Sequence, residues 1–149
     1  MTNITAVINR FQYLIDTVPE KLMAIDEAEF GIKPSPAKWS RKEILGHLID
    51  SAANNHHRFI RTQYENVPVI FYDQDKWNEL NYYQQMNGMC VINFWRIYNE
   101  HLVEVVKMIP TENLSKVCNA GEKENVTLWW LIADYVRHME HHLNQIVEL

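Results

Sequence analysis

The chain reads as an all-α fold, a bundle of four long helices. Apolar residues recur at three- and four-residue steps over long stretches, only four residues are glycine, and no stretch keeps the alternation of a half-buried strand. Apolar residues make up 47% of the 149 positions. That supply supports one domain spanning 1–149, with a core that needs neither disulfides nor a structural metal.

Ile4, Val7, Ile8, Phe11, Leu14, Ile15 and Val18 lie on one helical face, so a first helix is expected from about Thr2 to Ala24, bent or interrupted at Pro19. The breakers Gly31, Pro34, Ser35 and Pro36 make Gly31 to Trp39 a connection. Ser40-Arg41-Lys42-Glu43 has capping-box form and opens a second long helix that carries Ile44, Leu45, Leu48, Ala52, Phe59 and Ile60 towards Tyr64. Beyond Pro68, Asp75 is placed to cap a short extra helix holding Trp77 and Leu80. Met89, Ile92, Trp95, Tyr98, Leu102, Val105, Val106 and Ile109 define a third long helix from about Gln84 to Ile109, stopped by Pro110. Asn119 to Asn125 is a polar loop, and Thr127 caps a fourth helix running nearly to the end. Four long helices in one domain define a bundle.

Charge and composition exclude several function classes. A net charge of -5 offers no cationic surface for phosphate backbones, so no nucleic acid partner is expected. No stretch approaches the roughly 20 apolar residues of a membrane span, and Met1 to Thr5 is not a targeting segment. Cys90 and Cys118 form no Cys-x-x-Cys pair. The expectation is a soluble, cytoplasmic protein with reduced thiols and no membrane partner.

The chemistry concentrates in the last helix. Leu128, Leu131, Tyr135, His138, His142, Gln145 and Leu149 form one stripe, which places two histidines on the buried face. Residues four apart stack along a helix, so both imidazoles converge on one point, as in helical metal sites. The alternative is that the rings hydrogen-bond across the bundle or face solvent. His141 lies to one side as a flanking group. A zinc-type site needs a third ligand from another helix, and the candidates are His47, His56, His57 and His101. His47 borders the stripe of Ile44, Leu48 and Ser51, with Asp50 on the same face to orient a ligand or accept a proton. His56 and His57 lie more than two turns further on, and His101 beside Glu100 and Glu104 reads as a surface residue. Zincin and di-iron spacings are absent, as are phosphate loops and nucleophile elbows.

With "KWSRKEILGHLIDSAANNHHRFIR" from Lys38, "VPVIFYDQDKWNEL" from Val67 and "HMEHHLNQI" from His138, the chain resembles the DinB-like (DinB/YfiT) superfamily, and within it the YfiT branch that includes bacillithiol S-transferases. The resemblance implies a DinB-like four-helix bundle with metal ligands His47, His138 and His142 and a divalent ion, zinc or nickel. It implies a metal-dependent thiol S-transferase acting on a small thiol and an electrophilic substrate, with Asp50 and His141 taking or relaying the proton. Tyr72, Trp77 and Arg137 are candidates for shaping the pocket, against plain core and surface roles. A metal-dependent hydrolase would use the same ligands, and a non-catalytic metal-binding bundle is the third reading. The resemblance also implies a homodimer, for which Trp129 or Trp130 would offer exposed aromatic surface. Pro36-Ala37-Lys38 departs from the glycines of relatives and alters the loop at the pocket mouth.

Overall fold

Ser40 accepts the backbone N–H of Glu43 on its hydroxyl, and Glu43 Oε1 accepts the backbone N–H of Ser40 at 3.0 Å, which closes the expected capping box. It opens α3, Arg41–Tyr64, in the computed structural model, which describes residues 3–149. α1 spans Ile4–Met23, capped by the Asn3 side chain; Thr2, the expected start, lies outside the described residues. Pro19 does not interrupt α1. It sits near the C-terminal end, where only one intrahelical bond is lost, and is buried with Val18 and Leu22.

The connections hold structure that periodicity alone does not reveal. α2, Glu27–Phe30, is too short to show a repeat, yet it buries Phe30 in the core. The extra helix is present as α4, Gln74–Asn81, but its cap is Asp73 rather than Asp75: Asp73 Oδ1 accepts the N–H groups of Asp75 and Lys76. Tyr82 then takes a left-handed conformation at φ 55°, and Tyr83–Gln85 form a 3₁₀ turn. This delays α5, Gly88–Lys107, beyond the expected start at Gln84, and Asn87 caps it. The loop of 119–125 joins two short antiparallel strands, β1 (Val117–Cys118) and β2 (Val126–Thr127). α6, Leu128–Leu143, is capped by Thr127 as expected.

α1 packs against α5 and α6, and α3 packs against the same two helices. Successive long helices α1 and α3 therefore stand on one diagonal of the bundle, with α5 and α6 on the other. Long connections make those crossings feasible. At the centre, Phe11 and Phe59 pack edge-on against Tyr135 at 5.5 and 5.6 Å, and the Tyr135 hydroxyl donates to Asn99 Oδ1. Trp95 is fully buried beside this cluster's helix partners. Trp130 is exposed, whereas Trp129 is half-buried. No helix among the described residues is long and apolar enough to cross a membrane.

Gly46 is a packing requirement of α3. A Cβ there would lie 2.1 Å from Cδ2 of Tyr83, whose ring lies against the helix. Alanine normally favours a helix interior over glycine. Here overpacking should reverse that preference, so Gly46→Ala is expected to destabilise the fold by about 1–3 kcal/mol in denaturant unfolding.

Candidate metal centre

The second turn of α3 and the last turns of α6 bring His47, His138 and His142 together. One ligand nitrogen from each lies within 4.8 Å of the other two. His47 Nε2 and His138 Nε2 are 3.1 Å apart, and the three ring centroids are separated by 4.5 to 5.0 Å. Two imidazole nitrogens bonded to one tetrahedral ion stand roughly 3.4 Å apart, given metal–nitrogen bonds of about 2.0–2.1 Å. The His47–His138 spacing fits such an ion with little adjustment.

The electrostatics fit as well. His47 is 1% exposed, and its Nδ1 is buried without a hydrogen-bond partner. Burial, then the neighbouring His138 and His142, lower its pKa to about 3. Burial, then His142 and His141, lower His138 to about 4, and burial lowers His142. All three rings are therefore neutral at pH 7 and keep the lone pairs a cation needs. His142 Nδ1 lies 3.0 Å from Gln145 Oε1, which fixes its ring and leaves Nε2 for an ion.

Other expected residues fall into different places. Asp50 Oδ1 accepts the Tyr83 hydroxyl at 2.6 Å and the Asn81 amide at 2.8 Å, while Oδ2 is buried and unpartnered. Burial raises this carboxyl to about 6, against the lowering effect of those two donors. His141 is exposed, its ring edge-on to His142 at 5.1 Å. His56 and His101 lie apart from the trio, near each other at the α3–α5 contact, and His57 is exposed. Tyr72 packs on Trp77, and Arg137 is exposed and ion-paired with Asp134. None of those three lines the cavity beside the histidines.

That cavity, about 410 Å³, is lined by Trp39, Ile44 and Gln145 together with Glu29 and Arg41 at its rim. Trp39 also lies over His47, with ring centroids 5.0 Å apart, so one indole separates cavity from ligand. Trp39 and Tyr83 were not legible as site residues, because both reach the site from irregular segments. Gln145 stands three residues after His142 on the same stripe, a spacing that does mark it.

The chain matches the DinB superfamily over residues 5–146 and belongs to it. Similar proteins include YfiT of Bacillus subtilis (strain 168), 22% identical over 142 residues, which cover 91% of this chain and 80% of YfiT. Another, from Bacillus mycoides (strain KBAB4), is 22% identical over 148 residues, with 96% of this chain and 85% of the relative covered. Both are provisionally named metal-dependent hydrolases. The solved structure of Bacillus subtilis YfiT aligns with a TM-score of 0.80 at 21% identity, over 93% of this chain and 83% of that one. A point mutant of the mycothiol-dependent maleylpyruvate isomerase aligns with a TM-score of 0.81 at 13% identity, over 99% of this chain and 62% of that one. These alignments establish a shared four-helix-bundle fold.

The trio makes stability depend on pH. Histidines depressed in the folded state stabilise it fully above their unfolded pKa near 6.5, and that contribution drains as pH falls towards the folded values of about 3 and 4. Asp50 works in the opposite sense, since its raised pKa of about 6 favours the folded state on acidification. Two histidines outweigh one carboxyl. Metal-free protein is expected to lose roughly 2 kcal/mol between pH 7 and pH 5 in urea unfolding, and Asp50→Asn should make the loss larger.

Proposed function

We propose that the chain is a metal-dependent enzyme in which His47, His138 and His142 hold one divalent cation, zinc or nickel. Its reaction, on this reading, is transfer of a small bacillithiol-like thiol to an electrophilic carbon. The observation that carries the reading is the convergence of three neutral imidazoles, from two helices, beside a cavity of about 410 Å³. Nitrogen ligands of this kind suit both metals. The metal-dependent naming of the relatives supports the cation, and the name of the mycothiol-dependent isomerase, a protein of the same fold, supports the thiol.

When bound, the cation supplies Lewis acidity that favours the ionised form of a thiol or of water near neutral pH. The protein's part is to orient and to move a proton. Trp39 and Gln145 fix the faces of His47 and His142 and form the wall facing the cavity. Asp50 Oδ2, one turn from His47 and free of partners, takes the thiol proton. His141, exposed beside His142, passes protons to solvent. Sulfur then bonds to the electrophilic carbon, and the leaving group departs with its electron pair.

A hydrolase is the second reading, favoured by the naming of the relatives. The two separate in one experiment. Protein purified without an affinity tag is loaded with zinc or nickel and assayed with an electrophile, with and without added thiol. Thiol and electrophile consumed together, and only with metal, support the transferase; product without thiol supports the hydrolase; neither activity leaves a non-catalytic metal-binding bundle.

Two variants follow. His138→Ala should abolish stoichiometric metal by elemental analysis. Gln145→Leu should keep the ligands but weaken metal affinity by about 10–100-fold, read by competition with a chromophoric chelator.

A further inference from the structure

A second pair of imidazoles faces across the bundle, at the α3–α5 contact rather than the α3–α6 contact. His56 on α3 and His101 on α5 have ring centroids 5.6 Å apart and planes inclined at 72°. Two imidazoles sharing one ion place their centroids roughly 4.5–5.7 Å apart for coordination angles from about 90° to 120°, given metal–nitrogen bonds of about 2.0–2.1 Å. The pair falls inside that range. His56 Nδ1 also lies 3.0 Å from the Tyr98 hydroxyl, and the Tyr98 ring packs edge-on against it. That contact fixes the His56 ring and leaves Nε2 without a protein partner, the arrangement that metal-ligating histidines show when their other nitrogen is held.

The surroundings favour a cation over stacking alone. His101 is exposed and His56 half-buried, so an ion reaches them without opening the core. A cavity of about 380 Å³ opens beside His56, lined also by His57, Ile60, Tyr64 and Arg61, the last held by Glu65. The nearby Glu100 and Glu104 are held by Arg96 and Lys107. With those carboxylates engaged, the donors on offer are nitrogen, and nitrogen selects copper, nickel and zinc over magnesium and calcium.

We propose that His56 and His101 form a second, solvent-accessible site for an imidazole-preferring divalent transition metal, bridging α3 and α5. It is independent of the buried trio and weaker, because two protein ligands replace three and water completes the coordination. An ion there ties two helices together, so it stabilises the folded chain by linkage.

The test is calorimetric titration of metal-free, untagged protein with nickel chloride. Two classes of binding are expected, one equivalent each. His101→Ala and His56→Ala should each remove the weaker class and leave the tighter one, while His57→Ala leaves both. Since His101 is exposed, its substitution leaves the fold intact, to be checked by circular dichroism. Protein preloaded with one equivalent should show a further rise in unfolding temperature on adding nickel, and His101→Ala should lose that rise. A weaker class that survives His101→Ala, or a titration with no weaker class in the native protein, overturns the proposal.

Discussion

Three uncharged imidazoles, one buried and two half-buried, held together where α3 meets α6 are the constraint around which this end of the bundle is arranged. His47 is buried with an unpartnered Nδ1, and an unmet buried polar group costs about 1–3 kcal/mol. The neighbouring residues are those such a contact requires. Gly46 lets the Tyr83 ring lie against α3, Tyr83 in turn holds Asp50, and Trp39 covers His47 from the preceding loop. The apolar centre around Phe11, Phe59 and Tyr135 offsets the cost. The site is rigid because its supports are packed, not because its ligands attract one another.

Topology explains why the ligands come from segments so far apart in the chain. With α1 and α3 on one diagonal, α3 must pack on α6, and the start of α3 meets the end of α6. His142 thus sits in the last turn of α6, where the final carbonyls leave the negative end of its dipole, with His138 one turn earlier. That end favours a cation by a few tenths to about 1 kcal/mol. No carboxylate is among the three ligands, so the helix terminus adds negative potential beside that of Asp50, one turn from His47.

The long helices were legible because each repeats its apolar face several times, and the pair His138 and His142 was legible because four residues make one turn. The face shared by Ile44, Leu48 and Ser51 favoured His47, and the family resemblance assigned it. Features resting on one contact were not legible. Asp73 and Asp75 both suit a cap, and only the backbone path selects Asp73. Pro19 reads as a breaker until its burial near the helix end is seen. The hairpin of Val117–Cys118 and Val126–Thr127 is too short for any period, and Trp39 and Tyr83 enter from segments without one. Arg137 and Trp77 shared the residue type of pocket walls, but their surroundings are an ion pair and a Tyr72 contact.

The two histidine settings on α3 differ in their hold on protons. In the trio, burial depresses His47 and His138 to about 3 and 4, so protons do not compete for their lone pairs near neutrality. The rings therefore stay neutral down to about pH 4, while the stability cost of keeping them neutral already begins below their unfolded value near 6.5. His56 is lowered by burial and by His101, but one face of that pair is open to water. A reactive metal needs the first setting, because neighbouring protein groups act more strongly on developing charge where water is excluded. The Trp39 indole stands between the His47 imidazole and the open space of the neighbouring cavity, which keeps water off that ring. Burial thus costs stability when the trio is empty and keeps its lone pairs free for a cation.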